Sequence, residues 1–484
     1  MNNPMLRADR EYSLNDYKLK PYQNETVDFM LRRFSCLNNS QTGAGKTLVS
    51  LTACQHCLNY SNTLQVVILC PKAALSSFKK ELTNMIKAPY SIYTATEYKI
   101  VEGARYHLFT YSKLDLLVEW LDKSKGCPKI LVADEVHKLN SPSTKTYKTL
   151  SKLRKEFNVV YGLTATPLMN DLYELYYVIN FIVPGFLGTK KAFEQQYLIT
   201  KLVDKYFYGK KIKKKEVIGT KNLDHLSKRL TSILIGKKNK YNLDFQYRSI
   251  PLTDDEGMEY RECAKGLLND VGEAKSMSAR LHDLQRVIDG SHENFPKSRL
   301  CSKEKLLVTV LKEILDRNES TLIYVEYMST FNRLLKVLKA SKQILNYSNT
   351  YMICGEVKLE DRVKVEKEMP RRSIVLLTKA GTASINLQKA NNLIFYDLPW
   401  STGDTIQAIG RITRMDTKYD TQHIYFIEAL DTIDTFRRKV IESKVSLITA
   451  IFGEQTTMPK VEDEDINLDD LRKYLLWRRR SRKK

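Results

Sequence analysis

The sequence has no run of about 20 uninterrupted apolar residues, which is the length that a helix needs to cross a bilayer. Its amino terminus lacks both the apolar stretch of a secretory signal and the Arg- and Ser-rich, acid-poor character of a transit peptide. Cysteine is sparse, with eight in 484 residues, so no disulfide framework is implied. We therefore expect a soluble protein that is not secreted and that resides in the cytoplasm or the nucleus.

Acidic residues are few relative to basic ones. The chain has 56 Asp and Glu against 78 Lys and Arg, a formal net charge of +22. An excess of this size favours a polyanionic partner, nucleic acid first, although charge alone does not identify it. A zinc site is not favoured, because Cys54 and Cys57 form one close pair without the further ligands that zinc needs.

What the sequence does contain is a repeated alternation of strand-like and helix-like segments. Its β-branched runs are continuous, which is typical of strands buried on both faces of a parallel sheet. Segments with apolar residues every three or four positions, such as 75–86 and 329–345, separate these runs. The order is βαβα, which predicts the α/β class. The strand-like runs lie at 64–70, 129–134, 158–164, 321–327, 373–378, 392–397 and 423–427.

These runs fall into two groups, and the chain between the groups differs in character. We predict two α/β lobes, a mainly helical and basic insertion between them, and a tail that changes from acidic to basic and is more mobile than packed. Within the insertion, lysines mixed with aromatic residues over 205–216 fit either a DNA-gripping element or a solvated hairpin. The predicted boundaries are 1–185, 186–300, 301–452 and 453–484.

A glycine-containing segment, SQTGAGKT at 40–47, precedes a helical stretch. Ser40 occupies the first glycine position of the phosphate-loop pattern, but four residues that the chemistry needs are present: Gly43, Gly45, Lys46 and Thr47. Glycines let backbone N–H groups turn towards phosphate oxygens, and the start of a helix adds a favourable dipole. We predict that Lys46 reaches the β and γ phosphates of ATP and that Thr47 ligates Mg²⁺.

Two carboxylates follow a predicted buried strand at 129–134. A carboxylate at the carboxyl end of a parallel strand points towards the crevice where ligands bind. Asp134 is therefore predicted to hold Mg²⁺ through its water shell, and Glu135 to orient and deprotonate the attacking water. The alternative is a solvated acidic turn.

A third group of candidates lies near the end of the second lobe. Gln407, Arg411 and Arg414 are spaced by four and three residues, so on a helix they would face one side. Two arginines in this arrangement fit a clamp for the charge that develops on a transferred phosphoryl group. The alternative for such a pair is a surface ion pair.

The order of these segments resembles that of the Swi/Snf-type double-stranded-DNA translocases within the superfamily-two helicase ATPases. The resemblance spans about residues 14–452 and implies two RecA-like lobes that bind ATP between them, so that closure completes the site. We expect alternate gripping by the two lobes to advance them along DNA. The similar segments are 19–31, 66–82, 134–150, 162–188, 396–415 and 431–444.

The resemblance also implies roles for residues outside these catalytic candidates. Gln23 would lie near the adenine, and Gly381 would belong to the nucleotide site. Contacts to the sugar-phosphate backbone of DNA are implied for four residues, Lys72, Lys138, Thr378 and Lys379.

The chain departs from the family pattern at two places. Phe78 stands where the family usually has tryptophan, and TRMDT replaces HRxGQ in the last segment, although Arg414 is kept. Residues 219–240 resemble most the annealing-helicase (HARP-type) branch. The small size and the lack of reader domains are typical of a viral or bacterial member.

The expected activity is ATP-driven movement on duplex or branched DNA, with remodelling, fork regression or strand annealing as the output. A strand-separating DNA or RNA helicase is the first alternative. A catalytically inert platform that binds nucleic acid is the second, and the intact set of Lys46, Asp134, Glu135 and Arg411 disfavours it. No membrane partner is expected, and the sequence names no protein partner.

Overall fold

The computed structural model divides into two compact units: the first reaches Asn239 and also takes in a short segment from Ile448, and the second runs from Lys240 to Leu447. This boundary falls inside the predicted insertion. In the described part of the chain, no helix is long and apolar enough to cross a membrane. The predicted tail, 453–484, lies outside the described residues. The structure describes residues 12–14, 17–168, 171–207, 210–237, 242–269, 277–292, 295–296, 299–381, 385–413 and 417–452.

The first unit is an α/β fold. Its strands are β1 (Ser13–Leu14), β2 (Tyr17–Lys18), β3 (Cys36–Asn38), β4 (Gln65–Cys70), β5 (Tyr90–Tyr93), β6 (Tyr98–Lys99), β7 (Tyr106–Thr110), β8 (Lys129–Asp134), β9 (Val159–Leu163), β10 (Leu198–Phe207), β11 (Lys210–Thr220) and β12 (Leu234–Ile235). Its helices are α1 (Pro21–Arg33), α2 (Lys46–Leu58), α3 (Leu75–Glu81), α4 (Leu114–Lys123), α5 (Lys145–Leu153), α6 (Leu172–Ile182), α7 (Lys190–Tyr197) and α8 (Leu223–Leu230).

An eight-stranded sheet carries the core of this unit, in the order β12-β3-β9-β8-β4-β7-β5-β6. All neighbours are parallel except the pair β5 and β6. The strands are continuous apolar runs because both faces are covered, as Ile68 on β4 and Val132 on β8 illustrate. Parallel strands end at one edge, so β3, β9 and β8 bring their following loops together there.

The second unit is also α/β. Its strands are β13 (Asn242–Ile250), β14 (Thr321–Val325), β15 (Thr350–Ile353), β16 (Ile374–Thr378), β17 (Asn392–Phe395) and β18 (Thr421–Ala429). Its helices are α9 (Asp254–Asn269), α10 (Met277–Ile288), α11 (Ser302–Asp316), α12 (Met328–Ala340), α13 (Lys342–Leu345), α14 (Leu359–Glu368), α15 (Thr402–Ile409) and α16 (Ile433–Phe452). The sheet order is β13-β18-β17-β14-β16-β15, and every neighbouring pair is parallel.

The predicted α/β class and its parallel sheets are confirmed, and each of the seven predicted strand-like runs contains a strand. The region 186–300 is only partly helical. It contains α7, α8, α9 and α10, but β10 and β11 form an antiparallel hairpin within it. Its other two strands each belong to one of the main sheets. β12 pairs with β3 in the first unit, and β13 pairs with β18 in the second.

A fully buried ion network joins several elements of the second unit. The Lys303 ammonium, near the start of α11, lies 2.7 Å from the Asp289 carboxylate and 2.9 Å from that of Asp434. The Gln285 amide donates to both carboxylates, at 3.1 Å each. Asp397, just beyond β17, lies 3.9 Å from the same ammonium. The network therefore ties α10, α11, α16 and the end of β17 together.

Candidate functional site

The loop between β3 and α2 has the conformation that a phosphate-binding loop needs. Gly43 and Gly45 adopt left-handed backbone angles, with φ values of 83° and 81°. Side chains with a Cβ rarely adopt this conformation, so glycine is required at both positions. Gly45 caps the amino terminus of α2, whose dipole favours an anion at this end. Thr47, in the first turn of α2, is half-buried.

The Lys46 side chain folds back over this loop. Its ammonium donates to the Ser40 carbonyl oxygen at 2.8 Å and to the Gln41 carbonyl oxygen at 3.2 Å. A lysine held by neutral carbonyl groups at the first turn of a helix is placed to accept an anionic partner in exchange. The predicted role of Lys46 therefore has a suitable geometry.

The first helix packs against the same loop. The Gln23 amide is buried and donates to the Ala44 carbonyl oxygen at 3.4 Å, and the Tyr22 hydroxyl donates to that oxygen at 3.2 Å. A Cβ on Gly45 would lie 2.5 Å from Gln23 Nε2. Gln23 thus lies at the loop, as expected for a residue of the nucleotide site, and its contact with adenine stays a prediction.

The two acidic candidates follow β8 at the same edge of the sheet. Burial is the main cause that raises the pKa of Asp134 to about 7. The neighbouring Glu135 carboxylate raises this pKa further, whereas the Lys46 ammonium lowers it. The charge of Lys46 is therefore felt at the Asp134 carboxylate, which brings two of the predicted catalytic residues into one electrostatic environment.

Glu135 is held by residues that the sequence reasoning did not assign. Its backbone is left-handed, with φ 50°, although it is not a glycine. Its carboxylate lies 3.1 Å from His137 Nδ1 and accepts from the Thr164 hydroxyl at 3.5 Å. His137 Nδ1 is in turn 2.9 Å from that hydroxyl. The only sequence signal for this trio is that His137 and Thr164 follow adjacent buried strands, β8 and β9.

The predicted DNA contacts of the first unit are accessible. Lys72 follows β4, Lys138 follows β8, and both side chains are exposed. Because β4 and β8 are neighbours in the sheet, the two lysines belong to the same edge. Their exposure suits a phosphate contact, which stays a prediction.

Three candidates of the second unit cluster around the end of β16. Thr378 is the buried last residue of the strand, and Lys379 follows it with its ammonium 2.5 Å from the Asp404 carboxylate. A Cβ on Gly381 would lie 2.0 Å from the Ile353 carbonyl oxygen. Close packing against β15 therefore explains the glycine, and its role at a nucleotide stays a prediction.

The helix that carries Gln407 ends before the arginines. Since α15 ends at Ile409, Arg411 lies beyond it and does not share a helical face with Gln407. Arg411 is buried, and its guanidinium donates to the Ile385 carbonyl oxygen at 3.0 Å. Gln407 is half-buried on α15. Arg414 lies outside the described residues, so the predicted pair is not tested.

The residues of the first unit could contribute to a magnesium site. Thr47 and Asp134 offer a hydroxyl and a carboxylate oxygen, which are donors that Mg²⁺ prefers. Across the described ranges, no group of three or more His, Cys, Asp or Glu side chains could hold a metal ion. A nucleotide-bound Mg²⁺ needs only one or two protein ligands, so this donor set fits such an ion.

Comparison with known proteins identifies two domains in the chain. Residues 22–240 match the SNF2-related domain, and residues 303–416 match the helicase conserved C-terminal domain. The chain is 22% identical to the uncharacterized ATP-dependent helicase YqhH of Bacillus subtilis, over 90% of this chain and 79% of that protein. It is 25% identical to the DNA repair and recombination protein RAD54B of Gallus gallus, over 88% of this chain and 53% of that protein.

One further relative and one solved structure are also similar to the chain. The chain is 24% identical to the DNA repair protein rhp54 of Schizosaccharomyces pombe, over 94% of this chain and 60% of that protein. It thus spans little more than half the length of these repair proteins. The solved Sulfolobus solfataricus SWI2/SNF2 ATPase core in complex with dsDNA is 18% identical with a TM-score of 0.41, over 96% of this chain and 98% of that one.

Proposed function

Because the chain belongs to the Swi/Snf-type ATPases of helicase superfamily two, we propose that it hydrolyses ATP to move along duplex or branched DNA. The observation that carries this proposal is that the loop with Lys46 follows β3 and Asp134 ends β8 at the same edge of the first sheet, where the Lys46 ammonium partly offsets the rise in the pKa of Asp134 that burial causes. A phosphate loop and an acidic pair at this edge are the parts that phosphoryl transfer from a nucleotide requires.

The candidate site residues of the first unit each have a defined task in this reaction. Lys46 exchanges its carbonyl partners for the β and γ phosphates, while the N–H groups at the start of α2 donate to phosphate oxygens. Thr47 and Asp134 would hold Mg²⁺, which neutralises charge on the phosphates when bound. Burial raises the pKa of Asp134, and a bound cation would lower this pKa again and so favour the ionised carboxylate.

Glu135 is proposed as the base that orients the attacking water. His137 and Thr164 hold its carboxylate, which fixes the direction in which the second oxygen is presented. From the second unit, Arg411 and Arg414 are proposed to stabilise the charge on the transferred phosphoryl group, with Gln407 alongside. Guanidinium groups suit this task because they bind phosphate oxygens in a bidentate manner.

The proposed track is DNA, contacted through its backbone. The net charge of +22 supports a polyanionic partner, and the names of the RAD54B and rhp54 relatives associate those proteins with DNA repair. Lys72, Lys138, Thr378 and Lys379 are proposed to contact phosphates, so affinity is expected to fall steeply with salt and to depend little on sequence. Remodelling, fork regression and annealing are all outputs of such movement.

The test is the ATPase rate titrated with single-stranded, double-stranded and forked DNA and with RNA, at one stated salt concentration. We expect DNA to stimulate the wild type, and Lys46→Ala or Glu135→Gln to abolish turnover while DNA binding at low salt is retained. Lys99→Ala and Glu102→Gln, at exposed positions of the same unit, are the matched controls and keep full activity. Unchanged hydrolysis in the Lys46 variant would overturn the site assignment.

Strand separation is the second candidate, because one matched relative is described as an ATP-dependent helicase. A forked substrate with one labelled strand distinguishes the two activities. Stimulated hydrolysis without release of a long strand supports movement on duplex DNA, and ATP-dependent release of that strand supports the helicase.

A further inference from the structure

A short strand from the end of the first unit runs beside the phosphate loop. β12 pairs in parallel with β3, and its backbone continues along the loop beyond the strand. N–H groups at alternate positions of β3 and the loop donate to it: Leu37 to the Ile233 carbonyl at 2.8 Å, Asn39 to that of Ile235 at 2.8 Å, and Gln41 to that of Lys237 at 3.1 Å. Residues 233–237, called the connector here, therefore form the edge on which the loop rests.

One side chain of the loop joins this ladder. The Ser40 hydroxyl accepts from the Lys237 N–H at 3.0 Å, and Ser40 is only 3% exposed. Ser40 stands at the position where the phosphate-loop pattern has glycine. A glycine has no acceptor to offer there. The departure from the pattern therefore adds a bond between the loop and the connector.

The approach of the two backbones is close. A Cβ on Gly236 would lie 2.2 Å from Asn39 Oδ1 and 2.8 Å from the Ser40 backbone nitrogen. Since real Cβ atoms do not approach other atoms this closely, only glycine fits between the connector and the loop. The loop is thus held from this side by backbone contact as well as by hydrogen bonds.

The peptide group between Ser40 and Gln41 is bonded on both sides. Its carbonyl oxygen accepts from the Lys46 ammonium at 2.8 Å, and its N–H donates to the Lys237 carbonyl oxygen at 3.1 Å. Hydrogen bonds on the two ends of one peptide group polarise and strengthen each other. The connector therefore acts on the same group that holds the lysine.

We propose that the connector is a positioning element for the phosphate loop, with Ser40 as its side-chain anchor, and that it sets the affinity for nucleotide phosphates through the placement of Lys46. This inference rests on the proposed function, because it assumes that Lys46 binds phosphate. If the connector had a purely structural role, substitutions that break its contacts would change the stability of the protein but not its affinity for nucleotide.

The first experiment uses the full chain and a fluorescent ADP analogue with Mg²⁺. Ser40→Ala removes the acceptor and is expected to raise the Kd about threefold to tenfold, the range for one lost hydrogen bond. Ser40→Thr keeps a hydroxyl and is expected to restore affinity. Thermal unfolding measured in parallel separates a loss of affinity from a loss of fold.

The second experiment changes the other partner. Lys237→Pro removes the N–H that Ser40 accepts, whereas Lys237→Ala keeps the N–H and removes only the side chain, whose ammonium lies over the Tyr22 ring. We expect Lys237→Pro to weaken binding as Ser40→Ala does, and Lys237→Ala to remain within about twofold of the wild type. If both substitutions remove the same hydrogen bond, the double variant Ser40→Ala, Lys237→Pro binds the nucleotide no more weakly than either single variant.

The possible results distinguish a failure of the proposed function from a failure of the connector proposal. A wild type that binds no nucleotide contradicts the proposed function itself. A wild type that binds, together with a Ser40→Ala protein of unchanged Kd, contradicts the connector alone. Additive effects of the two changes also contradict it, because independent effects do not share a bond. Non-additive loss of affinity without loss of thermal stability supports it.

Discussion

The Lys303 ammonium lies 2.7 Å from the Asp289 carboxylate, and both side chains are fully buried. A charge is costly to bury unless it is paired and hydrogen-bonded, and here Asp434, Gln285 and the Tyr396 carbonyl oxygen complete the shell. The surrounding carboxylates raise the pKa of Lys303, in spite of its burial. The network holds the segment beyond β17, which leads into the helix that carries Gln407.

Removal of this ammonium is expected to destabilise the second unit severely. Lys303→Met leaves buried carboxylates without their cation, which typically costs about 3–5 kcal/mol of the free energy of unfolding. Urea unfolding followed by circular dichroism measures the loss. Lys305→Met, at an exposed position of the same helix, is the control and is expected to stay within about 0.5 kcal/mol of the wild type. Equal stability of the two variants would contradict the role of the network.

Gly45→Ala is expected to abolish nucleotide binding. The new Cβ would require a left-handed backbone and would lie 2.5 Å from Gln23 Nε2, so both the loop and α1 must shift. Gly103→Ala is a matched control, because Gly103 has a similar φ of 73° but nothing within 4 Å of the added atom. We expect Gly103→Ala to retain wild-type binding of the fluorescent ADP analogue, with any loss confined to stability. Binding by Gly45→Ala would show that the loop tolerates a different shape.

Stability of the first unit is expected to fall in mild acid because of His107. Burial lowers the pKa of this histidine from its ordinary value of 6.5 to about 4. The unfolded chain therefore binds the proton first, so the contribution is complete above pH 6.5 and is lost as the pH falls towards 4. The loss amounts to about 3 kcal/mol at most. The measurement is the free energy of unfolding at several values between pH 7.5 and pH 4.5.

His107→Gln isolates this contribution. The variant also loses ring packing against Trp120, so it is expected to be less stable at neutral pH. The informative quantity is the change in stability between the two pH limits, which should be smaller than in the wild type. His225→Gln, at an exposed position, should leave that change as it was. A pH dependence unaffected by the His107 change would contradict the assignment.

Lys72→Glu and Lys138→Glu are expected to weaken DNA binding evenly across sequences. Each lost phosphate contact should reduce the slope of log affinity against log salt by about 1. Fluorescence anisotropy with a labelled duplex at several salt concentrations measures this slope. Lys123→Glu is the control, because Lys123 is exposed but precedes the opposite, amino-terminal end of β8. An equal loss with all three variants would indicate a general charge effect.

The strands that the sequence predicted are those that form continuous apolar runs. β4, β8 and β16 read as continuous apolar runs because both faces are covered. β3 was missed because it contributes only three residues and ends on Asn38, and β7 because its apolar residues are interrupted by His107. These polar residues are buried all the same, and His107 finds a partner in Gln65 on the neighbouring strand β4 only once the sheet has assembled.

The local chemistry of the candidate site was predicted better than its support. Gly43, Gly45 and Lys46 belong to one short motif and Asp134 ends one apolar run, so both sequence patterns reflect a local conformation. Ser40 was read as a departure from the pattern, since its partner Lys237 is 197 residues away. Pairings at that separation depend on strand order, which periodicity alone does not reveal. Arg411 lies two residues beyond the end of α15, so the helix does not extend as far as the spacing of Gln407, Arg411 and Arg414 indicated.

The pairing of β13 with β18 decides where the second half of this chain could be separated from the first. β13 covers β18 over nine residue pairs, and Glu256 on α9 accepts from both the backbone N–H and the hydroxyl of Ser302. A fragment that starts at Lys303, the first residue of the matched C-terminal domain, would expose a long bare strand edge and tend to aggregate. A fragment that starts at Asn242 is longer but keeps that edge covered by β13, so it is the better piece for independent expression.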